Sequence, residues 1–280
     1  MDLPDLRSPR SGLSPEGLLA VAAGGWGYAE AEWIEGWHVR ASGGFTNRAN
    51  SAWPVWPATA AHEPVPRDLA RTLAAVHAWY AERGLPAQVN CVIGSELDRA
   101  VEALGHGRTT HSALRQSGRA ATILESLARS GPAGTEAATC ALTDRPNAGW
   151  LGTYRSGTLP AVAGQVLGAG RDDIRFAAIA DERDGSTLAI GRVALASAPG
   201  GAGPAGWAGI AAVETAPTAR RRGLAKVVIR ELIRWAAEHG TTDVYLEVSA
   251  DNTAALVLYD SLGFTTHHAY HYRVIESIAD

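Results

Sequence analysis

Between residues 213 and 264 the spacing of apolar residues changes in an order that admits few folds. Residues 224–239 carry Ala225, Val228, Ile229, Leu232, Trp235 and Ala236 on one face at a period of 3.6, the mark of an amphipathic helix. Gly240 follows as a helix-ending glycine. Residues 243–248 alternate, with Val244, Leu246 and Val248 on one side, and read as a strand. Asp251 or Asn252 is placed to cap a second helix, on which Ala255, Leu258, Tyr259 and Leu262 share a face before Gly263 stops it. A strand, a turn, a helix, a strand and a capped helix in this order describe a mixed α/β sheet with helices packed against it.

The turn at Arg220-Arg221-Arg222-Gly223-Leu224-Ala225 opens the first of these helices. The leading N–H groups of a helix lack internal partners, and the helix dipole adds positive potential there, so phosphates bind at such ends. Gly223 lets the backbone come close to an oxygen, Ala225 keeps the next turn uncrowded, and the three arginines add full charges.

Arg220-x-x-Gly223-x-Ala225 followed by Asn252-x-x-Ala255-x-x-x-Tyr259-x-x-x-Gly263-Phe264 resembles the signature of the GCN5-related N-acetyltransferase (GNAT) family. The resemblance implies acetyl-coenzyme A as acyl donor, its pyrophosphate held by the N–H groups of Arg221, Arg222, Gly223, Leu224 and Ala225. Val213 and Thr215 would flank it on the preceding strand, with Asn252 and Ala255 near the pantetheine arm and Tyr259 near the sulfur. It also implies an acyltransferase acting on a primary amine of a small molecule or a protein. A non-catalytic acyl-CoA-binding or sensing protein is the alternative, and the pairing of Tyr259 with the turn argues against it.

An internal repeat widens this reading. Residues 73–92 align on 229–248, with Trp79 on Trp235 and Gly84 on Gly240, and Gly105 falls on Gly263 after a small shift. Two GNAT-like units in tandem are expected: a tail over 1–14, a first unit over 15–130, a break near residues 130–134, and a catalytic unit over 135–280. Strands are expected at 37–40 and 49–52, at 174–180 and 187–195 joined through Asp184-Gly185, and at 207–215; a helix is expected at 159–167. The first unit has lost the chemistry. No Arg-x-x-Gly-x-Gly/Ala lies between Val55 and Arg71, and Val101 stands where Tyr259 stands in the second. The run Gly36-Trp37-x-Val39-Arg40 … Gly43-Gly44-Phe45-Thr46-x-Arg48 resembles a bacterial subgroup of two-unit GNAT proteins.

Acyl transfer to an amine needs a base, stabilisation of the carbonyl oxygen and a proton for the leaving thiolate. Tyr259 is the candidate acid, since a phenol is protonated at neutral pH. Glu214 and Glu247 are the candidate bases, at or near the ends of neighbouring strands. His267, His268 and His271 cluster near the C-terminus, and alternation predicts His267 and His271 on one face, lining a pocket; no carboxylate or cysteine at ligand spacing supports a metal. Trp53 and Trp56 are expected at the groove between units.

The remaining classes are excluded by charge and composition. A net charge of −4 gives no general nucleic-acid surface. The single lysine, Lys226, follows no phosphate loop of the Gly-x-x-x-x-Gly-Lys type. No apolar run reaches membrane-spanning length, and two cysteines suit a reducing cytoplasm. Arginine in place of lysine fits a GC-rich bacterial genome.

Overall fold

The computed structural model describes residues 12–55, 65–129, 139–156, 159–196 and 206–276. The expected break at 130–134, most of the loop before residue 207, and Trp56 lie outside them. The chain opens on helix α1 (Pro15–Gly24), which sequence reading left out. Ser14 caps it by accepting from the Gly17 N–H at 3.0 Å, and Leu13 packs against its cluster, so the expected tail is shorter than 14 residues.

The first half continues through β1 (Glu30–Ile34), β2 (Trp37–Ala41), β3 (Ala52–Trp53), α2 (Leu69–Ala81), β4 (Gln88–Val92), α3 (Glu96–Ala103), β5 (Thr109–Arg119) and α4 (Ala120–Arg129). The second half runs β6 (Cys140–Thr143), α5 (Ala148–Thr153), α6 (Ala163–Leu167), β7 (Ile174–Ala180), β8 (Thr187–Ala196), β9 (Trp207–Thr215), α7 (Leu224–Glu238), β10 (Asp243–Ser249), α8 (Thr253–Leu262) and β11 (Thr265–Val274). The strand expected at 49–52 is two residues long, because a 3-10 turn at Asn47–Ala49 takes up most of it. The helix expected at 159–167 forms only over Ala163–Leu167, held at its C-terminus by Gly168 in the left-handed region.

All eleven strands form one sheet in the order β1-β2-β3-β4-β11-β5-β10-β9-β8-β7-β6. The repeat appears in this order as a pseudo-two-fold between β5 and β11. The series β1 to β4 matches β7 to β10 in both order and direction, each ending on a parallel pair, β3/β4 and β9/β10. The last strands are exchanged. β5 of the first half pairs antiparallel with β10, and β11 of the second half pairs antiparallel with β4. Each half therefore completes the other's sheet. A buried carboxylate holds one crossing: Asp98 on α3 accepts from Arg273 Nε at 2.7 Å, meets His271 Nε2 at 2.6 Å, and also accepts from the Gly94 N–H.

α7 packs its apolar side on the sheet of the second half. Val228, Ile229, Leu232, Trp235 and Ala236 are buried as its periodicity predicts. Val227 and Ile233 are buried too, since α4 covers the flank that an isolated amphipathic helix would expose. Among the described residues no helix is long and apolar enough to cross a membrane.

Candidate active site

β9 and β10 pair in parallel only from Trp207/Asp243 to Ile210/Leu246. β9 then runs on to Thr215 and β10 to Ser249 without touching, so the sheet splays open. A cavity of about 350 Å³ fills that gap. Its floor is the free edge of β9 from Ala211 to Glu214, and its far wall is Glu247, Val248 and Ser249 of β10 with Asn252, Ala255 and Tyr259 of α8. A bulge marks the floor: Ile190 faces Glu214 but Arg192 faces Ala211, and Ala212 takes φ +53°. Strand edges carry unpaired N–H groups, which here face a cavity rather than another strand.

Beyond Thr215 the chain turns into α7. Gly223 is its N-cap, with φ +76° and no side-chain cap, and Arg221 is also left-handed at φ +65°. Among the described residues the N–H groups of Arg221 to Ala225 find no acceptor. Arg220, Arg221 and Arg222 are exposed around them, and Arg220 Nε reaches back to the Thr215 carbonyl at 3.4 Å. The equivalent helix of the first half is built differently. Asp68 caps α2 and accepts from the Arg71 N–H at 3.0 Å, so a carboxylate occupies that helix end and repels phosphate. Val101 is fully buried in the α2/β4 core.

Tyr259 borders the cavity with its ring edge-on to Phe264 at 5.7 Å. Burial pushes its hydroxyl up to about 12, which keeps it protonated. The hydroxyl makes no hydrogen bond among the described residues. Asn252, rather than Asp251, caps α8, its Oδ1 accepting from the Ala255 N–H at 3.1 Å.

The two candidate bases separate in the fold. Glu214 is half-buried on the cavity floor, and both its oxygens accept from the Arg155 backbone N–H at 3.0 and 3.2 Å. Burial raises its pKa, with the Arg155 N–H acting in the opposite direction. Glu247 is 4% exposed and ion-paired to both Arg48 and Arg115, the latter at 2.6 Å. Burial favours its neutral form, but the two guanidinium groups outweigh that and hold it well below the usual carboxylate range. Taking up a proton would leave the buried Arg115 and the part-buried Arg48 without a counter-charge. Glu247 is therefore an anchor, and the sequence-level reading of it as a base is corrected.

The histidines also depart from expectation. A register shift between Thr266 and His268 puts an extra residue into β11 and breaks its alternation, while the shift opposite Tyr270 and Tyr272 puts its extra residue into β5. His267 and His268 meet through their Nδ1 atoms at 2.8 Å, His268 contacts Arg115, and His271 is held by Asp98. None of them lines the cavity. Trp53 is fully buried, its Nε1 donating to the Arg48 carbonyl at 3.1 Å.

Several cavity residues were invisible to local patterns. Arg48 comes from the first half on the loop that contains Gly43, Gly44, Phe45 and Thr46. Asn50 locks that loop: its Oδ1 accepts from Ser42 and Gly44, and its Nδ2 donates to the Phe45 and Thr46 carbonyls, at 2.8–2.9 Å. That motif in the sequence was the available signal. Arg192 lies in an otherwise apolar strand, a second signal, and is 1% exposed. Tyr245 crosses beside Gly25 and Gly209, where any Cβ would collide with its hydroxyl.

Comparison with known proteins gives a consistent relationship. A family profile described as "Probable histone acetyltransferase Rv0428c C-terminal" matches residues 17–273. The chain is 29% identical over 264 residues to the probable histone acetyltransferase Rv0428c of Mycobacterium tuberculosis, covering 93% of this chain and 74% of that protein. Its fold is similar to a GCN5-related N-acetyltransferase from Kribbella flavida, with TM-score 0.68, 14% identity, and 95% and 98% of the two chains covered. It is also similar to a tandem GNAT protein from the clavulanic acid biosynthesis pathway, with TM-score 0.56, 13% identity, and 82% and 78% covered.

Proposed function

Because this chain belongs to the Rv0428c C-terminal family of GCN5-related N-acetyltransferases, we propose that it transfers the acetyl group of acetyl-CoA directly to a primary amine of a small molecule or a protein, in the cavity of its second half. The observation that carries this reading is a cavity along the unpaired edge of β9 that ends at the accessible hydroxyl of the otherwise buried Tyr259. The same strand leads directly into the α7 start, whose N–H groups find no acceptor among the described residues.

The residues present fit such a donor. The turn from Arg220 to Ala225 offers backbone N–H groups and cationic side chains to a pyrophosphate. The free edge of β9, with Val213 and Thr215, offers N–H groups to an extended amide-bearing arm and to a developing oxyanion. When bound, acetyl-CoA supplies an activated acetyl carbonyl and a thiolate leaving group. Glu214 accepts a proton from the incoming ammonium, its raised pKa bringing it closer to the working pH. Tyr259 donates its hydroxyl proton where the thiolate forms. Asn252 fixes the start of α8 and so aims that hydroxyl. We assign residues 15–130 to a first unit without this chemistry and 135–280 to the catalytic unit.

Titration of the protein with acetyl-CoA in a calorimeter tests the donor site and is expected to give one site per chain. Gly223→Val forces a β-branched residue into the left-handed region at the phosphate cradle, and affinity is expected to fall by about 10- to 100-fold. An unchanged affinity would mean the phosphates bind elsewhere. Release of free thiol against a panel of amines then tests transfer. Binding without release for any amine would favour the sensing alternative.

Glu214 sets a pH dependence. A base must be deprotonated, so kcat/KM is expected to rise with pH through the raised Glu214 pKa and then level. In Glu214→Gln that limb should vanish together with most of the turnover. An unaltered profile in the variant would move the base to another group or to water.

A further inference from the structure

The pseudo-two-fold brings two buried arginines against one helix end. Arg40 on β2 donates from Nη2 to the Ala23 carbonyl at 2.6 Å, and Arg192 on β8 donates from Nη2 to the Gly25 carbonyl at 2.8 Å. Both groups lie where α1 ends, and its carbonyl dipoles favour cations. Neither arginine has a carboxylate within ion-pair reach among the described residues. Each stacks on a tryptophan, Arg40 on Trp53 and Arg192 on Trp26.

Their third donor groups differ. Arg40 Nη1 is sealed in the interior without a partner. Arg192 uses Nε on the Leu167 carbonyl at 2.7 Å and Nη2 on Gly25, which leaves Nη1 without an acceptor among the described residues at the wall of the cavity. A buried cation with a free donor attracts an anion strongly, because little water competes for it. The surrounding charge points the same way. Arg48 and Arg115 share the one carboxylate of Glu247, Arg155 and Arg192 have no carboxylate within ion-pair reach among the described residues, and Glu214 is the other carboxylate of the cavity lining.

The phosphates of a donor bound at α7 are not the anion in question. The α7 turn follows Thr215, four residues along β9 from Ala211, the partner of Arg192 in the sheet. That is about 13 Å of extended strand. Glu214 is closer, opposite Ile190 and two residues along β8 from Arg192, about 7 Å of strand.

Building on the acetyltransferase reading above, we propose that the acceptor is a small amine that also bears a carboxylate, bound with the carboxylate on Arg192 Nη1 and the amine toward Glu214. The site then selects amino-acid-like molecules over plain amines and over lysine side chains of a protein. Trp26 orients the guanidinium from one face, and the Leu167 and Gly25 carbonyls, at the ends of α6 and α1, hold its other two donor groups, so the binding group is pre-set.

Matched pairs test this in the wild-type protein: glycine, β-alanine and 4-aminobutanoate against their amides, with a lysine-containing histone-tail peptide alongside, all assayed by thiol release from acetyl-CoA. At least one acid is expected to exceed its amide in kcat/KM by about 10- to 100-fold, the scale of one charge-assisted contact. Arg192→Met should bring the pair to parity while calorimetric affinity for acetyl-CoA stays unchanged; Arg192→Lys, which keeps the charge, should retain part of the preference. Amides matching acids in the wild type, or the peptide outpacing every acid, would overturn the proposal. If no amine is acetylated, the acetyltransferase reading is at fault. The Arg192 site is then judged by NMR line broadening of N-acetylglycine and N-acetyl-β-alanine. Broadening that disappears in Arg192→Met sustains the carboxylate site, and no broadening in the wild type refutes it.

Discussion

Replacing Tyr259 with phenylalanine is expected to lower turnover by about 10²- to 10⁴-fold, the range for a positioned acid. Thermal stability and acetyl-CoA affinity should hardly change. The ring edge that packs on Phe264 is retained, and the lost hydroxyl has no partner among the described residues. The loss therefore reports on chemistry, not on folding. In the wild type the rate should stay level across neutral pH on the acid side of Tyr259, since burial pushes its pKa up to about 12. Single-turnover rates at saturating donor would check this free of product release. An unchanged single-turnover rate in the variant would mean the thiolate leaves without this proton, and Tyr259 would be a packing residue.

Replacing Glu247 with alanine is expected to destabilise the fold by about 3–5 kcal/mol, because it strands the buried guanidinium of Arg115 and the part-buried one of Arg48. The carboxylate sits between Arg48, from the loop after β2, and Arg115, from the exchanged strand β5. Both halves of the chain should therefore loosen together in urea denaturation followed by tryptophan fluorescence. Replacing Arg48, Arg115 and Glu247 at once with apolar residues of similar volume should cost much less, since no charge is then left unpaired. The sign with pH follows from the lowered pKa of Glu247. Its contribution is present above the ordinary carboxylate pKa of about 4.3 and is lost as pH falls through the lower folded value. Asp98, held low by His271 and Arg273 despite its burial, adds a loss of the same sign. A single-alanine cost below about 1 kcal/mol would show the ion triad to be solvated and loose.

The local elements around the cavity were legible because their causes are local. The period of Val228, Ile229, Leu232, Trp235 and Ala236 dictates α7, the alternation of Val244, Leu246 and Val248 dictates β10, and Asn252 caps α8 with its own side chain. Gly223 is needed where φ is positive, and sequence alone located that turn. The repeat was legible for the same reason, as two copies of one local pattern.

What surrounds Tyr259 was decided by contacts between distant residues. Periodicity says that a face is buried, not what covers it. It could not show that β5 and β11 trade places, so Arg115 and Glu247 read as unrelated strand residues until the register set them opposite each other. Arg48 reaches Glu247 across 199 positions, and that pairing turns a candidate base into a fixed anion. The bulge in β11 depends on its pairing with β5, and it removed the shared face expected for His267 and His271. The sequence by itself determined the turn from Arg220 to Ala225, the two helices and the place of the tyrosine. Tertiary structure alone decided the charges of the cavity, because a charge in a low-dielectric interior takes its value from its partners.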